Sequence, residues 1–133
     1  MVLYCDDGFG EGTEKDRADT QTQLKKFFAF CGDVVVKYMS FYHTKDIENL
    51  VMSADVFCMN GGNENEMIKL FQEQGEKLAV LRRFTSEGGL YVGCCGGAMA
   101  AGKFWAPSSA RSNGEVPMLD IIKGAYCAVD EPM

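Results

Sequence analysis

Two adjacent cysteines sit in the stretch Tyr91-Val92-Gly93-Cys94-Cys95-Gly96-Gly97-Ala98. A thiol attacks as its thiolate, which is favoured where a helix begins and free backbone N–H groups point at the sulfur. Gly93-Cys94-Cys95-Gly96-Gly97 has the spacing of a nucleophile elbow, a strand–turn–helix corner, with Cys95 at its apex. The apex backbone of such a corner is strained. Its neighbours must be small, because a side chain there would strike the strand or the helix. Gly93, Gly96 and Gly97 meet that demand. A helix starting at Gly96 would favour the Cys95 thiolate, and the Gly96 N–H would donate into an oxyanion hole. Cys94, one residue before the apex, is expected to pack beside the strand as a small hydrophobe.

A second turn of the same kind, Asn60-Gly61-Gly62-Asn63, comes one strand earlier. Two consecutive glycines let a backbone approach a substrate oxygen closely, so Gly61-Gly62 would supply the second donor. Asn63 would fix the turn or touch the substrate. Either turn alone suits plain helix–sheet packing; two of them at one sheet edge point to a site.

The elements that must hold these turns follow from the hydrophobic pattern. Residues 1–5 form a short apolar run closed by Asp6-Asp7-Gly8, a buried strand with a polar turn. A glycine-rich loop leads to a helix over 16–31, with Leu24, Phe27, Phe28 and Cys31 on one stripe and Gly32 at its end. Residues 34–38 form the second strand, 46–52 a short helix and 54–59 the third strand. Helices are expected over 65–74 and 77–86, with Met67, Leu70, Phe71, Leu78, Leu81 and Phe84 inward. Residues 90–92 form the fourth strand and 96–102 a helix. Strands apolar throughout, alternating with helices, make a parallel sheet covered on both faces. Right-handed crossovers then give an α/β, flavodoxin-like, doubly wound and mostly parallel sheet. The chain is expected to form a single domain over 1–133, with 105–133 a loosely packed C-terminal segment that ends in an apolar turn and a strand.

Composition narrows the function. The 133 residues carry a net charge of −6 and no basic block, which argues against nucleic acid or an anionic membrane as partner. No apolar run is long enough for a membrane span, and the acidic start of the chain does not read as a signal peptide. The six cysteines match no zinc spacing and there is one histidine, His43. No metal or other cofactor is expected, and reduced thiols in the cytoplasm are.

At the two turns the sequence resembles the dipeptidase E and cyanophycinase-type serine peptidases of the class I glutamine amidotransferase-like superfamily. Asp55, Gly61, Gly62, Asn63, Leu70, Gly75, Gly93, Gly97 and Ala98 match that family's Gly-Gly-Asn turn and elbow, within a likeness covering about 1–102. The resemblance implies a flavodoxin-like sheet, a nucleophile at Cys95 and oxyanion donors at Gly62 and Gly96. It also implies hydrolysis of a peptide bond next to an acidic residue, so a small peptide or amide is the expected substrate.

The departures are specific. Cys95 replaces the family's serine and Gly96 the alanine after it. The family's base is a histidine downstream, but residues 123–130 contain none. His43 follows the second strand and belongs to the right sheet edge, but it is expected to be out of reach of Cys95. Asp6 and Asp7 are the other candidates: a carboxyl group there would hydrogen-bond the Cys95 sulfur, as an acidic residue does in some superfamily relatives. Gly61, Asn63, Asp6 and Asp7 are thus the residues expected at the substrate. Phe104, Trp105, Glu64 and Arg111 are candidates for a pocket wall. The chain resembles a shortened member of the family, and pairing of exposed strand edges in a homodimer is expected. The alternative is a non-catalytic member that keeps the fold to bind a ligand or partner.

Overall fold

In the computed structural model the described residues are 1–9, 13–106, 116–122 and 126–128. Four parallel strands, β1 (Val2–Cys5), β2 (Val36–Tyr38), β3 (Val56–Met59) and β4 (Leu90–Gly93), form a sheet in the order β2-β1-β3-β4. The order follows from two crossovers of opposite sense, so β1 and β3 are central. Leu3, Tyr4 and Phe57 on these strands have no exposed surface. Apolar side chains on both faces of a central strand must be covered from both sides.

One face packs Val2, Tyr4, Val36 and Cys58 against Leu24 and Phe28, from α1 (Glu14–Phe27) and its end. The other face carries the larger cluster. It joins Leu3, Phe41, Phe57 and Met59 to side chains of α2 (Ile47–Met52), α3 (Glu64–Leu78) and α4 (Val80–Ser86). Met67, Leu70, Phe71, Leu78, Leu81 and Phe84 point inward, as their spacing predicts. The flavodoxin-like, doubly wound reading of the sequence therefore describes the fold.

Three local departures have physical causes. The α1 stripe is not wholly buried. Phe28 is covered, but Phe27 is 66 % exposed and Cys31 is exposed. The helix ends at Phe27, and a 3-10 turn over Ala29–Cys31 winds at three residues per turn, which rotates Cys31 off the stripe. Gly32 ends that turn at φ +92. The break expected after Gln74 is a kink, with Gln74 at φ −121 and ψ 18, and the helix continues to Leu78. The C-terminal part forms a second sheet, order β6-β5-β7, from β5 (Phe104–Ala106), β6 (Val116–Pro117) and β7 (Tyr126–Ala128). Val116, Met118 and Leu119, within the segment read as loosely packed, are buried in the main core. Arg82 Nε donates to the Leu119 carbonyl at 2.7 Å.

Phe57 ties the two sheet halves together: it is fully buried and lies 6.0 Å from the Phe41 ring and 6.4 Å from that of Tyr91. Phe57→Ala is expected to cost about 3–5 kcal/mol, read as the shift in urea unfolding. A cost under about 1 kcal/mol would contradict this packing.

Candidate active site

The sheet's ladder runs one step past each strand at the carboxyl edge. Met39 N–H donates to Tyr4 O at 3.0 Å, Asn60 N–H to Cys5 O at 3.1 Å and Cys94 N–H to Met59 O at 3.0 Å. The loops after β2, β3 and β4 therefore leave the sheet in register.

Cys95 stands where β4 turns into α5 (Gly96–Met99), at φ +53 and ψ −116. L-residues other than glycine rarely adopt that backbone; it costs on the order of 1–3 kcal/mol and is held only by its surroundings. The holding contacts are visible. A Cβ on Gly97 would overlap the Met59 carbonyl oxygen, and one on Gly93 would overlap the Gly97 carbonyl. The Tyr91 hydroxyl donates to that same Gly97 carbonyl. A Cβ on Gly61 would strike Gly96 N and come within 3.1 Å of Cys95 Cβ. The two glycine turns singled out in the sequence are thus pressed against each other.

The site residues divide as follows. Among the described residues the N–H groups of Gly62 and Gly96 make no hydrogen bond. Gly62 sits at φ +136, a conformation open to glycine. Asn63 is placed by its backbone, donating to Gly8 O at 2.9 Å, and its side-chain oxygen caps α3 by accepting from Asn65 N at 2.8 Å and Glu66 N at 3.3 Å. The cap satisfies N–H groups that a helix start leaves free.

Asp6 and Asp7 are both buried, but neither carboxylate meets Cys95. Asp7 Oδ2 accepts from Phe41 N at 2.7 Å, which commits it to the β2 side. Asp6 is raised above the usual carboxylate range, chiefly by burial, against the opposing pull of Arg17. The expected hydrogen bond to the Cys95 sulfur does not form. The reason is sheet order: the β1 loop lies beside β2 as well as β3, and the free amide of Phe41 captures the carboxylate. His43 is exposed and lines an open groove of about 650 Å³ with Tyr42, Lys45, Glu76 and Lys77, on the far side from β4.

The thiols differ in chemistry. Burial pushes the Cys5 thiol well up and the Cys58 thiol up to about 11, so both stay protonated. Cys31, Cys94 and Cys95 are exposed. For Cys94 this corrects the expected packing beside the strand. β4 is an edge strand, and Cys94 lies beyond its last paired residue, Gly93.

Residues 15–124 match the model of peptidase family S51. The chain belongs to that family. This S51 chain also resembles a crystal structure from Listeria monocytogenes EGD-e named "Putative Peptidase E Protein", with a TM-score of 0.65 at 15 % identity. The likeness covers 92 % of this chain and supports the fold; the chain spans 62 % of that structure's length. No curated protein matches it. Among the described residues of this S51 member no helix is long and apolar enough to cross a membrane, and no group of His, Cys, Asp and Glu gathers as a metal site. Of the candidate pocket-wall residues, Phe104 opens β5 and Glu64 opens α3, whereas Arg111 and the Trp105 side chain lie outside the described residues, as do residues 123–125 and 129–130 of the expected histidine region.

Two predictions test this geometry. Cys95→Gly is expected to be more stable than Cys95→Ala by about 1 kcal/mol, because only glycine relaxes the positive φ; equal unfolding midpoints would show no strain at the apex. For Asp6, a raised folded pKa means the fold binds the proton more tightly than the unfolded chain. Stability contributed by that proton is present below the usual carboxylate range and is lost as pH rises through the raised value. Asp6→Asn is therefore expected to flatten the fall in thermal midpoint as pH rises above the usual carboxylate range, and to be no less stable than wild type at pH 7. A variant clearly less stable at pH 7 would contradict the burial argument.

Proposed function

We propose that this S51 member is a hydrolase of small peptides or amides, with Cys95 as nucleophile and the Gly62 and Gly96 N–H groups as oxyanion donors. The observation that carries the reading is the strained, exposed Cys95 held against the Gly61-Gly62 turn. A carbonyl carbon attacked by the sulfur would place its oxygen beside amides that have no other partner among the described residues. The bond cleaved is the one next to an acidic residue, by resemblance to the dipeptidase E-type relatives. Cys5, Cys31, Cys58, Cys94 and Cys95 are free thiols, which suits a reducing cytoplasm. A homodimer belongs to the same reading: β4 is an edge strand whose Leu90 is 54 % exposed.

One observation favours a second reading, a non-catalytic binding protein. The chain's single histidine lies on the β2 side, and the Cys95 sulfur makes no hydrogen bond among the described residues. Removal of an oriented base costs orders of magnitude in acyl transfer.

The two readings part in one experiment. Asp-X dipeptide turnover is expected, lost by at least about a hundredfold in Cys95→Ala and unchanged in Cys94→Ser. Iodoacetamide labelling resolved by peptide mass is expected to reach Cys95 faster than Cys31 and Cys94, which are also exposed. Absent turnover together with labelling of Cys95 no faster than that of Cys31 and Cys94 would establish the binding reading.

A further inference from the structure

A second concavity at the carboxyl edge takes no part in the chemistry proposed at Cys95. In the order β2-β1-β3-β4 the chain leaves β1 toward β2 and leaves β3 toward β4, so α1 and α3 cover opposite faces. Ligands of doubly wound sheets settle in the crevice that opens where strand order reverses. Here that crevice is a cavity of about 330 Å³ between α1 and α3, lined by Asp7, Arg17, Tyr38, Ser40, Glu66 and Lys69 among others. Its size lies at the lower end of the ~300–1,000 Å³ range of small-molecule sites.

Part of its polar lining is unspent. Arg17 Nε is buried and has no hydrogen-bond partner among the described residues; the guanidinium carbon lies 4.5 Å over the Tyr38 ring. A buried donor left unpaired costs about 1–3 kcal/mol, so an acceptor arriving at Arg17 would recover a real penalty. Lys69 and Glu66 make no side-chain ion pair or hydrogen bond among the described residues. Asp7 is fixed by its bond from Phe41 N, and Ser40, 2 % exposed, is fixed by accepting from Tyr42 N at 3.2 Å. The formal charges of Arg17, Lys69, Asp7 and Glu66 cancel. A simple anion or cation would meet as much repulsion as attraction; a small molecule carrying both signs would not.

We propose that the crevice between α1 and α3 binds a free amino acid as its zwitterion, the carboxylate toward Arg17 and Lys69 and the ammonium toward Glu66 and Asp7. The guanidinium fork matches a carboxylate, and each charge-assisted bond is stronger than a neutral one. The site depends on no step at Cys95.

Calorimetric titration of the whole chain with glycine, L-alanine, L-aspartate and L-phenylalanine, each to about 10 mM, tests it. At least one of the four is expected to saturate a single site. Its N-acetyl derivative lacks the ammonium and its amide lacks the carboxylate; each is expected to bind about tenfold or more weakly. Arg17→Gln, Lys69→Gln and Glu66→Gln are each expected to weaken binding by a similar factor. Lys69 is exposed and Glu66 partly so, which keeps the test sound should Arg17→Gln disturb packing on Tyr38. No binding of any of the four overturns the proposal. So do derivatives that bind as tightly as the parent, or Lys69 and Glu66 variants that bind like wild type.

Discussion

The close approach of three loop backbones at the sheet's carboxyl edge decides the rest of the site. Gly8, after β1, comes so near the β3 loop that an added Cβ would lie 3.1 Å from Gly61 O and would overlap Met67. Gly61 in turn touches Gly96 N, and Gly97 sits on the Met59 carbonyl. Contacts of this kind are open only to glycine, and they are not adjustable: the backbone has no rotamer to change. They set where α5 starts relative to β3, and so force the corner at Cys95. The strain at φ +53 is a consequence of that fit.

The same edge explains why acid and thiol are kept apart. β1 is flanked by β2 and β3, so a carboxylate leaving β1 can be drawn either way. The Phe41 amide, freed where β2 ends, offers a buried donor on one side; the β3 side offers glycine backbone packed too closely to admit a side chain. A buried carboxylate takes the hydrogen bond it can reach, because leaving it without one is costly. Asp7 therefore organises the β2 loop and the crevice between α1 and α3, and Cys95 is left to the backbone amides around it.

Fold class and inward-facing residues were legible because periodicity reports burial directly. The runs at β1 and β3 and the stripes of α3 and α4 are buried on the faces that spacing demands. The two glycine turns were legible as well, since close backbone approach has one residue type that permits it. What spacing did not carry was anything set by a few degrees of local geometry. The 3-10 turn at Ala29–Cys31 turns Cys31 outward after a regular helical pattern, and the edge position of β4 exposes Cys94. A final strand was legible but its pairing was not, because the strands of the second sheet are two or three residues long and Phe104 pairs in parallel with the distant Tyr126. The direction of the Asp7 side chain depended on a competitor, the Phe41 N–H, that only the assembled sheet presents. The crevice at Arg17 drew no attention in the sequence, since α1, β2 and α3 contribute one or two polar residues each, far apart in the chain.

On the proposed function, cysteine at the elbow and the lack of a neighbouring histidine are two sides of one substitution. A serine hydroxyl needs a base in contact with it, since almost none is ionised near neutral pH. A thiol does not: at a pKa near 8.5 a few per cent is already thiolate at pH 7, and that fraction is intrinsically nucleophilic. A serine at position 95 would need a histidine that the chain does not place there, whereas a cysteine needs a corner that exposes the sulfur and amides that receive the developing charge. The packing of Gly61, Gly96 and Gly97 supplies the corner and leaves the Gly62 and Gly96 amides without other partners among the described residues. Chemistry at such a centre would depend on the thiolate fraction.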